Sequence, residues 1–232
     1  MKTIKILVAL VLFAAGQTFA ANIEDRHLSG FHAIDAAASF DVYITQGRTE
    51  SVKVEAPADV IKEVLTDVRG GTLNIHTKNH FGGWGNIFNH KKVVVYVTVT
   101  SIDDINLTGS GDIYFKDGLN TGNINIQITG SGDIQGKLTA RVLNAGISGS
   151  GDLKLWGRAE TQKVEISGSG DYTARDLNTA TTTVSISGSG DASVYASATL
   201  NAQITGSGDI TYGGNPKRVA KAKSGSGDIS SW

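Results

Sequence analysis

The tetrapeptide Gly-Ser-Gly-Asp occurs seven times between Gly109 and Asp228, and any fold for this chain must repeat with it. The copies begin at Gly109, Gly130, Gly149, Gly168, Gly188, Gly206 and Gly225, at offsets of 21, 19, 19, 20, 18 and 19 residues. A steady period near twenty residues marks a stacked-coil architecture, in which each repeat buries its apolar face only against its neighbours. A propeller blade, with four strands in roughly 40 residues, fits this period poorly.

Aligned on the tetrapeptide, the columns separate by chemistry. Four residues before the first glycine stand Ile105, Ile126, Ala145, Val164, Val184 and Ala202; two before it stand Leu107, Ile128, Ile147, Ile166, Ile186 and Ile204. The residues between them, from Asn106 and Gln127 to Gln203, are mostly polar. This is period two, apolar inward and polar outward. The inward column resumes directly after the aspartate with Ile113, Ile134, Leu153, Tyr172, Ala192, Ile210 and Ile229. Each coil is therefore strand, tight corner, strand, and a looser return through Leu119, Leu138 or Leu177. The expected fold is all-β: a right-handed parallel β-helix with coils of about 19–20 residues, right-handed as parallel crossovers are. Strands stacked about 4.8 Å apart make this block a rod of about 29 Å.

At the corner, two glycines permit positive φ and close approach of adjacent coils. The residue before it is always Ser or Thr, and its hydroxyl, the corner serine and the aspartate are expected to bond turn amides. Asp112, Asp133, Asp152, Asp171, Asp191, Asp209 and Asp228 then form one column. Neighbouring carboxylates one coil apart repel by about 0.9 kcal/mol in water, more where shielded. The expected offset is a set of amide hydrogen bonds to each carboxylate. Calcium along the column is the sharper alternative, since hard cations take carboxylate oxygens. Against it, the calcium-binding nonapeptide has half this period and a residue between its glycine and aspartate. In the last repeat Lys221 and Lys223 occupy inward positions, which reads as a terminal cap opposing edge-to-edge addition, with a basic docking patch as the alternative.

The rest of the chain divides at residue 20. Lys2 and Lys5, an apolar run from Ile6 to Ala15, and Thr18-Phe19-Ala20 together read as a secretory signal, too short to span a bilayer. Residues 21–100 are β-rich without the repeat, and residues 101–232 are the repeat block; 21–232 reads as one continuous domain. Asp59 with Val60–Leu65 reads as one short helix ended by Gly70-Gly71. A glycine-rich loop over residues 80–90 carries Phe81, Trp84 and Phe88, either as a lid on the solenoid or as a partner contact. A metal site on His76, His80 and His90 is a weaker alternative, because the spacing is scattered.

Composition excludes several classes. With no cysteine, the chain can form no disulfide or thiolate metal site. A net charge of −1 suggests neither nucleic acid nor an anionic membrane as partner, and no stretch after the signal is apolar enough to span a bilayer.

The Gly-Ser-Gly-Asp coils, with Ser29–Ile34 leading to Phe40-Asp41-Val42-Tyr43-Ile44-Thr45-Gln46-Gly47, resemble the bacterial "head GIN" domain family, named for the heads of autotransporter adhesins and of unknown function. The resemblance runs from about Phe31 to Asp228. It implies a β-helical, exported protein of a Gram-negative bacterium, in the periplasm or on the cell surface, with no defined catalytic residue. Function then reads as non-enzymatic: a rigid β-helix face presented to a glycan or an envelope protein, with no cofactor. The alternatives are a polysaccharide-processing enzyme and a purely structural scaffold. Catalysis would need an acid, base and cation cluster that breaks the repeat. The charged residues off the pattern, Arg141, Arg158, Glu160 and Arg175, lie scattered through the returns.

Overall fold

The computed structural model describes residues 22–78 and 92–232. The segment read as a signal, and Phe81, Trp84 and Phe88 of the aromatic loop with His80 and His90, lie outside the described residues. The chain is a parallel β-helix of about seven turns. Among the described residues its helix content is one 3-10 turn, Ile61–Glu63, and no helix is long and apolar enough to cross a membrane.

The glycine corners lie one above another. Parallel pairing sets Gly109 on Gly130, then Gly149, Gly168, Gly188, Gly206 and Gly225, with the inward columns in the same register. After the corner the second column runs in order through Ile113, Ile134, Leu153, Tyr172, Ala192, Ile210 and Ile229. These side chains form one buried core along the axis; each fully buried Ile or Leu contributes about 1.5–3 kcal/mol. The single offset of 21 has a local cause. Between Phe115 and Leu119 the chain carries three residues where the next coil has Lys137 alone, so the extra pair bulges out at Gly118, φ +90°. Phe115 itself fits because Gly136 lies beneath its ring, where any Cβ would collide with it.

Residues 22–100 extend the same stack in an order the chain does not follow. Strand Ala33–Ala38 pairs with Asp104–Gly109, and Asp41–Gln46 with Ile113–Phe115, so these strands form a coil below the repeat block. Their junction, Ala38-Ser39-Phe40-Asp41, sits in register on Gly109-Ser110-Gly111-Asp112 as an eighth corner without glycine. On the other side of this coil lie Thr72–Thr77 and Val94–Val99, both parallel to it. Antiparallel strands close the end: Val64–Arg69 on Thr72–Thr77, Ser51–Ala56 on Val94–Val99, and Asn22–Asp25 on Ser51–Ala56. Val52, Val54, Val60, Leu73 and Ile75, all fully buried, seal the core there.

The short helix is smaller than the sequence suggests. Only Ile61–Glu63 is helical, as a 3-10 turn without a side-chain cap, and Val64-Leu65 begins a strand. Gly70-Gly71, at φ +57° and +81°, forms the two-residue turn of a hairpin rather than a helix stop. Strand pairing wins because burying Val64 against the stack outweighs a six-residue helix, which is marginal alone.

At the opposite end Arg218–Gly225 is exposed along its whole length. Lys221 and Lys223 continue the columns of Ala202 and Ile204. They fold over the open core: Lys221 Nζ donates to the Ile229 carbonyl at 2.8 Å and Lys223 Nζ to that of Gly227 at 3.0 Å. Lys221 also lies 4.9 Å from the centre of the Tyr212 ring. Ammonium groups bonded to carbonyls replace the missing next coil, as a terminal cap should.

Candidate functional site

Three surfaces of the rod carry side chains beyond what stacking requires. The first is the corner edge, where all seven repeat aspartates align. The first glycine of each corner takes φ between +123° and +141°. The second lies so close to the preceding coil that a Cβ at Gly170 would collide with the Gly151 carbonyl oxygen. The corners are tied by backbone: the Ser150 N–H donates to the Gly130 carbonyl at 2.8 Å, and the other repeat corners behave alike. Among the described residues the Ser and Thr hydroxyls at the corners make no hydrogen bond to the turn. The sequence suggested that they would; the amides they would need already point at the preceding coil.

The aspartates bond as a chain. The N–H of Asp133 donates to Asp112 Oδ1 at 3.1 Å, that of Asp152 to Asp133 at 2.9 Å, and that of Asp171 to Asp152 at 2.9 Å. The series continues through Asp191, Asp209 and Asp228 at 2.7–2.8 Å. An ionised carboxylate accepting an amide is the stronger kind of hydrogen bond, and it offsets repulsion along the column. The last carboxylate, Asp228, has Lys223 at 3.9 Å. Among the described residues no group of three or more His, Cys, Asp or Glu is arranged to hold a metal ion. His76 instead faces Asp67, its Nε2 3.6 Å from the carboxylate.

The second surface is a tyrosine ladder that sequence reasoning missed. Tyr43 stacks on Tyr96 at 5.8 Å between centroids and on Tyr114 at 4.9 Å. The Tyr96 hydroxyl donates to Glu55 at 2.9 Å and that of Tyr114 to Asp112 at 2.9 Å. The hydrogen bond to Glu55, then burial, raises the Tyr96 hydroxyl above its ordinary value. Burial, then the bond to Asp112, raises that of Tyr114. The available signal was a shared pattern, an outward tyrosine between apolar neighbours in Val42-Tyr43-Ile44, Val95-Tyr96-Val97 and Ile113-Tyr114-Phe115. These rings cover one another's faces, which suits packing more than ligand stacking.

The third surface lies along the returns. An open groove of about 880 Å³ crosses successive coils there. Asn120, Thr139, Arg158 and Asn178 stand in register along one side. Arg141 and Glu160 also line it, and the floor is made by buried Ala140, Ala159 and Thr179. The residues scattered in sequence are thus assembled on one face by the stacking. Arg141 donates to Asn123 Oδ1 at 3.0 Å; among the described residues the side chains of Arg158 and Glu160 have no hydrogen-bond or ion-pair partner. Arg175 lines a neighbouring hollow of about 270 Å³ with Trp156, Lys154 and Asp176. Its guanidinium lies 4.7 Å from the centre of the Trp232 ring.

Beneath the floor, polar groups interrupt the core. Gln162 is fully buried; it donates to Thr182 Oγ1 at 2.9 Å and accepts from the Tyr172 hydroxyl at 2.9 Å. Thr179 and Thr182 both donate to the Tyr195 carbonyl. Burial pushes the Tyr172 hydroxyl up. The network satisfies itself and fixes the floor to the core, as buried polar groups must to avoid a desolvation penalty.

A parallel β-helix closed by antiparallel strands at one end and by lysines at the other, with polar outer columns, defines the class of this protein. The chain belongs to the family described as "Putative auto-transporter adhesin, head GIN domain", whose sequence profile matches residues 30–216. Among solved structures it is similar to a "putative adhesin" from Bacteroides fragilis. That protein is 26% identical, with 91% of this chain and 97% of that one covered and a TM-score of 0.86. A "putative lipid binding protein" from Parabacteroides distasonis is 23% identical over 93% of this chain and 98% of its own, with a TM-score of 0.73. A "putative adhesin" from Parabacteroides merdae is 19% identical over 93% and 97%, also at 0.73. The last two show the fold alone. No functionally curated protein matches the chain.

Proposed function

We propose that this chain is a non-enzymatic binding protein of the bacterial envelope, exported to the periplasm or cell surface, whose β-helix holds one polar face rigid for a glycan or envelope protein. The observation that carries this is the return-side groove, an open trough edged by polar side chains and crossing several coils, with its floor tied into the core. Glu160 is the one carboxylate among its lining residues, so it lacks the carboxylate pair that glycoside hydrolysis uses. The adhesin descriptions of the family and of the Bacteroides fragilis relative, and the signal-like residues 1–20, support the same reading. Phe81, Trp84 and Phe88 are proposed as a second contact.

The test uses residues 21–232, purified and incubated with envelope polysaccharides and washed envelope fractions. Saturable retention without chain cleavage is expected, and deleting residues 81–88 should weaken it without lowering Tm. Release of new reducing or unsaturated sugar ends would overturn the reading in favour of an enzyme, and absence of retention on any fraction would overturn it in favour of a scaffold.

A further inference from the structure

We infer that the return-side groove and the adjoining Trp156–Arg175 hollow form a single site for an acidic polysaccharide, a chain of sugar rings bearing carboxylates, lying along the rod axis. This rests on the binding role proposed above and names the ligand class and the residues that select it.

Four observations converge. The first is shape. The groove is open and crosses at least four coils, a run of about 14 Å, so an extended polymer fits better than a compact metabolite. Charge is the second. Arg141 and Arg158 stand against Glu160, and Lys154 and Arg175 against Asp176, so this face is net positive on a chain of net charge −1. The aspartates are gathered on the corner edge, where each repeat carboxylate except the last accepts the amide of the next coil. The field of the rod is therefore divided, and a polyanion is steered to the returns.

The third is available bonding. Arg158 is exposed and unpartnered among the described residues, and a planar guanidinium fork matches a carboxylate bidentately. Asn120, Asn178 and Glu160 are exposed beside it and offer amide and carboxylate groups to ring hydroxyls. The fourth is the exposed tryptophan. Trp156 is 38% exposed, and it lies two residues from Arg158 across the bend at Gly157, φ +116°. An exposed indole costs free energy in water and offers an apolar face to a sugar ring, whose C–H groups lie on one side. Among the described residues the other exposed indole, Trp232, is already stacked against the Arg175 guanidinium, so an indole beside an unpartnered guanidinium side chain is local to this coil rather than a general property of the rod.

Recognition then divides between two groups. Arg158, helped by Arg141, selects the carboxylate; Trp156 binds the ring irrespective of charge. The two contributions are separable with polygalacturonate and its fully methyl-esterified form, which share a backbone and differ in charge. Titration calorimetry on residues 21–232 should give tighter binding to polygalacturonate, weakening as salt rises. R158Q should lower that affinity about tenfold and remove most of the difference between the two polymers. W156A should weaken both polymers alike. Arg158 is exposed, so the Tm of R158Q should stay unchanged and its binding loss cannot be assigned to unfolding. Equal binding of the two polymers by the unaltered protein, or full retention of the preference in R158Q, would overturn the inference. If neither polymer binds while envelope fractions still retain the chain, the inference falls and the binding role stands. If the polymer is cleaved, the binding role falls instead.

Discussion

Residues 22–100 and the repeat block build the same ladder by opposite means. In the repeat block each coil lies on the one made just before it, so chain order and stacking order coincide. Near the N-terminus the chain passes Ala33–Gln46, leaves to make the antiparallel strands, returns through Thr72–Thr77 and Val94–Val99, and then crosses to the far side at Asp104. The corner of this early coil shows what the difference means. Phe40 occupies the place of Gly111, and a Cβ at Gly111 would strike the Phe40 carbonyl. Within the repeat block each second corner glycine meets a carbonyl of the preceding corner in the same way. At Phe40 the chain makes the same corner with a side chain in that place, so the corner itself admits one. Glycine is thus required by the coil that comes before, not by the turn alone.

That contrast can be broken most severely at a repeat corner. G170A should cost at least about 4 kcal/mol in denaturant unfolding, because the new Cβ meets backbone that cannot move without shifting the adjoining coil. A loss below about 1 kcal/mol would mean that the corners are not stacked as described. A middle-sized effect should follow from I75A, which opens a cavity under the antiparallel end. The expected cost is about 2–5 kcal/mol, in a single transition shared with the repeat block. Two separated transitions would show that the repeat block stands without its N-terminal closure.

The smallest expected change is at the early corner. Burial, then the charge of Asp112, holds the Asp41 carboxyl above its ordinary value of 3.8, with Lys92 opposing. A carboxyl raised by folding favours the native state fully below its unfolded pKa, and that contribution disappears as pH rises through the native value. D41N should therefore match the unaltered protein in Tm near pH 3 and exceed it at pH 7. A lower Tm at pH 7 would show that the ionised Asp41 is held by partners, as the repeat aspartates are.

The repeat block was legible because its physics is periodic. Apolar residues at fixed distances before and after each Gly-Ser-Gly-Asp predict the columns, and every such column is buried until Lys221 and Lys223 end it. The eighth corner was not legible, since Ala38-Ser39-Phe40-Asp41 shares only serine and aspartate with the motif. Neither was the strand at Val64–Arg69, whose spacing also suits a helix; tertiary pairing with Thr72–Thr77 decided it. Of the candidate sites, the aspartate column could be foreseen as a column, but not that each carboxylate would accept the amide of the coil that follows.

What the sequence determined by itself was the period, the inward and outward columns and the glycine corners, because each depends on neighbours one strand or one repeat away. The groove, the tyrosine ladder and the crossing of the early coil were decided only in three dimensions. Asn120 and Asn178, or Tyr43 and Tyr96, are far apart along the chain and come to one face only once coils stack in register. Their meeting depends on which coil lies beside which, and no local pattern encodes that.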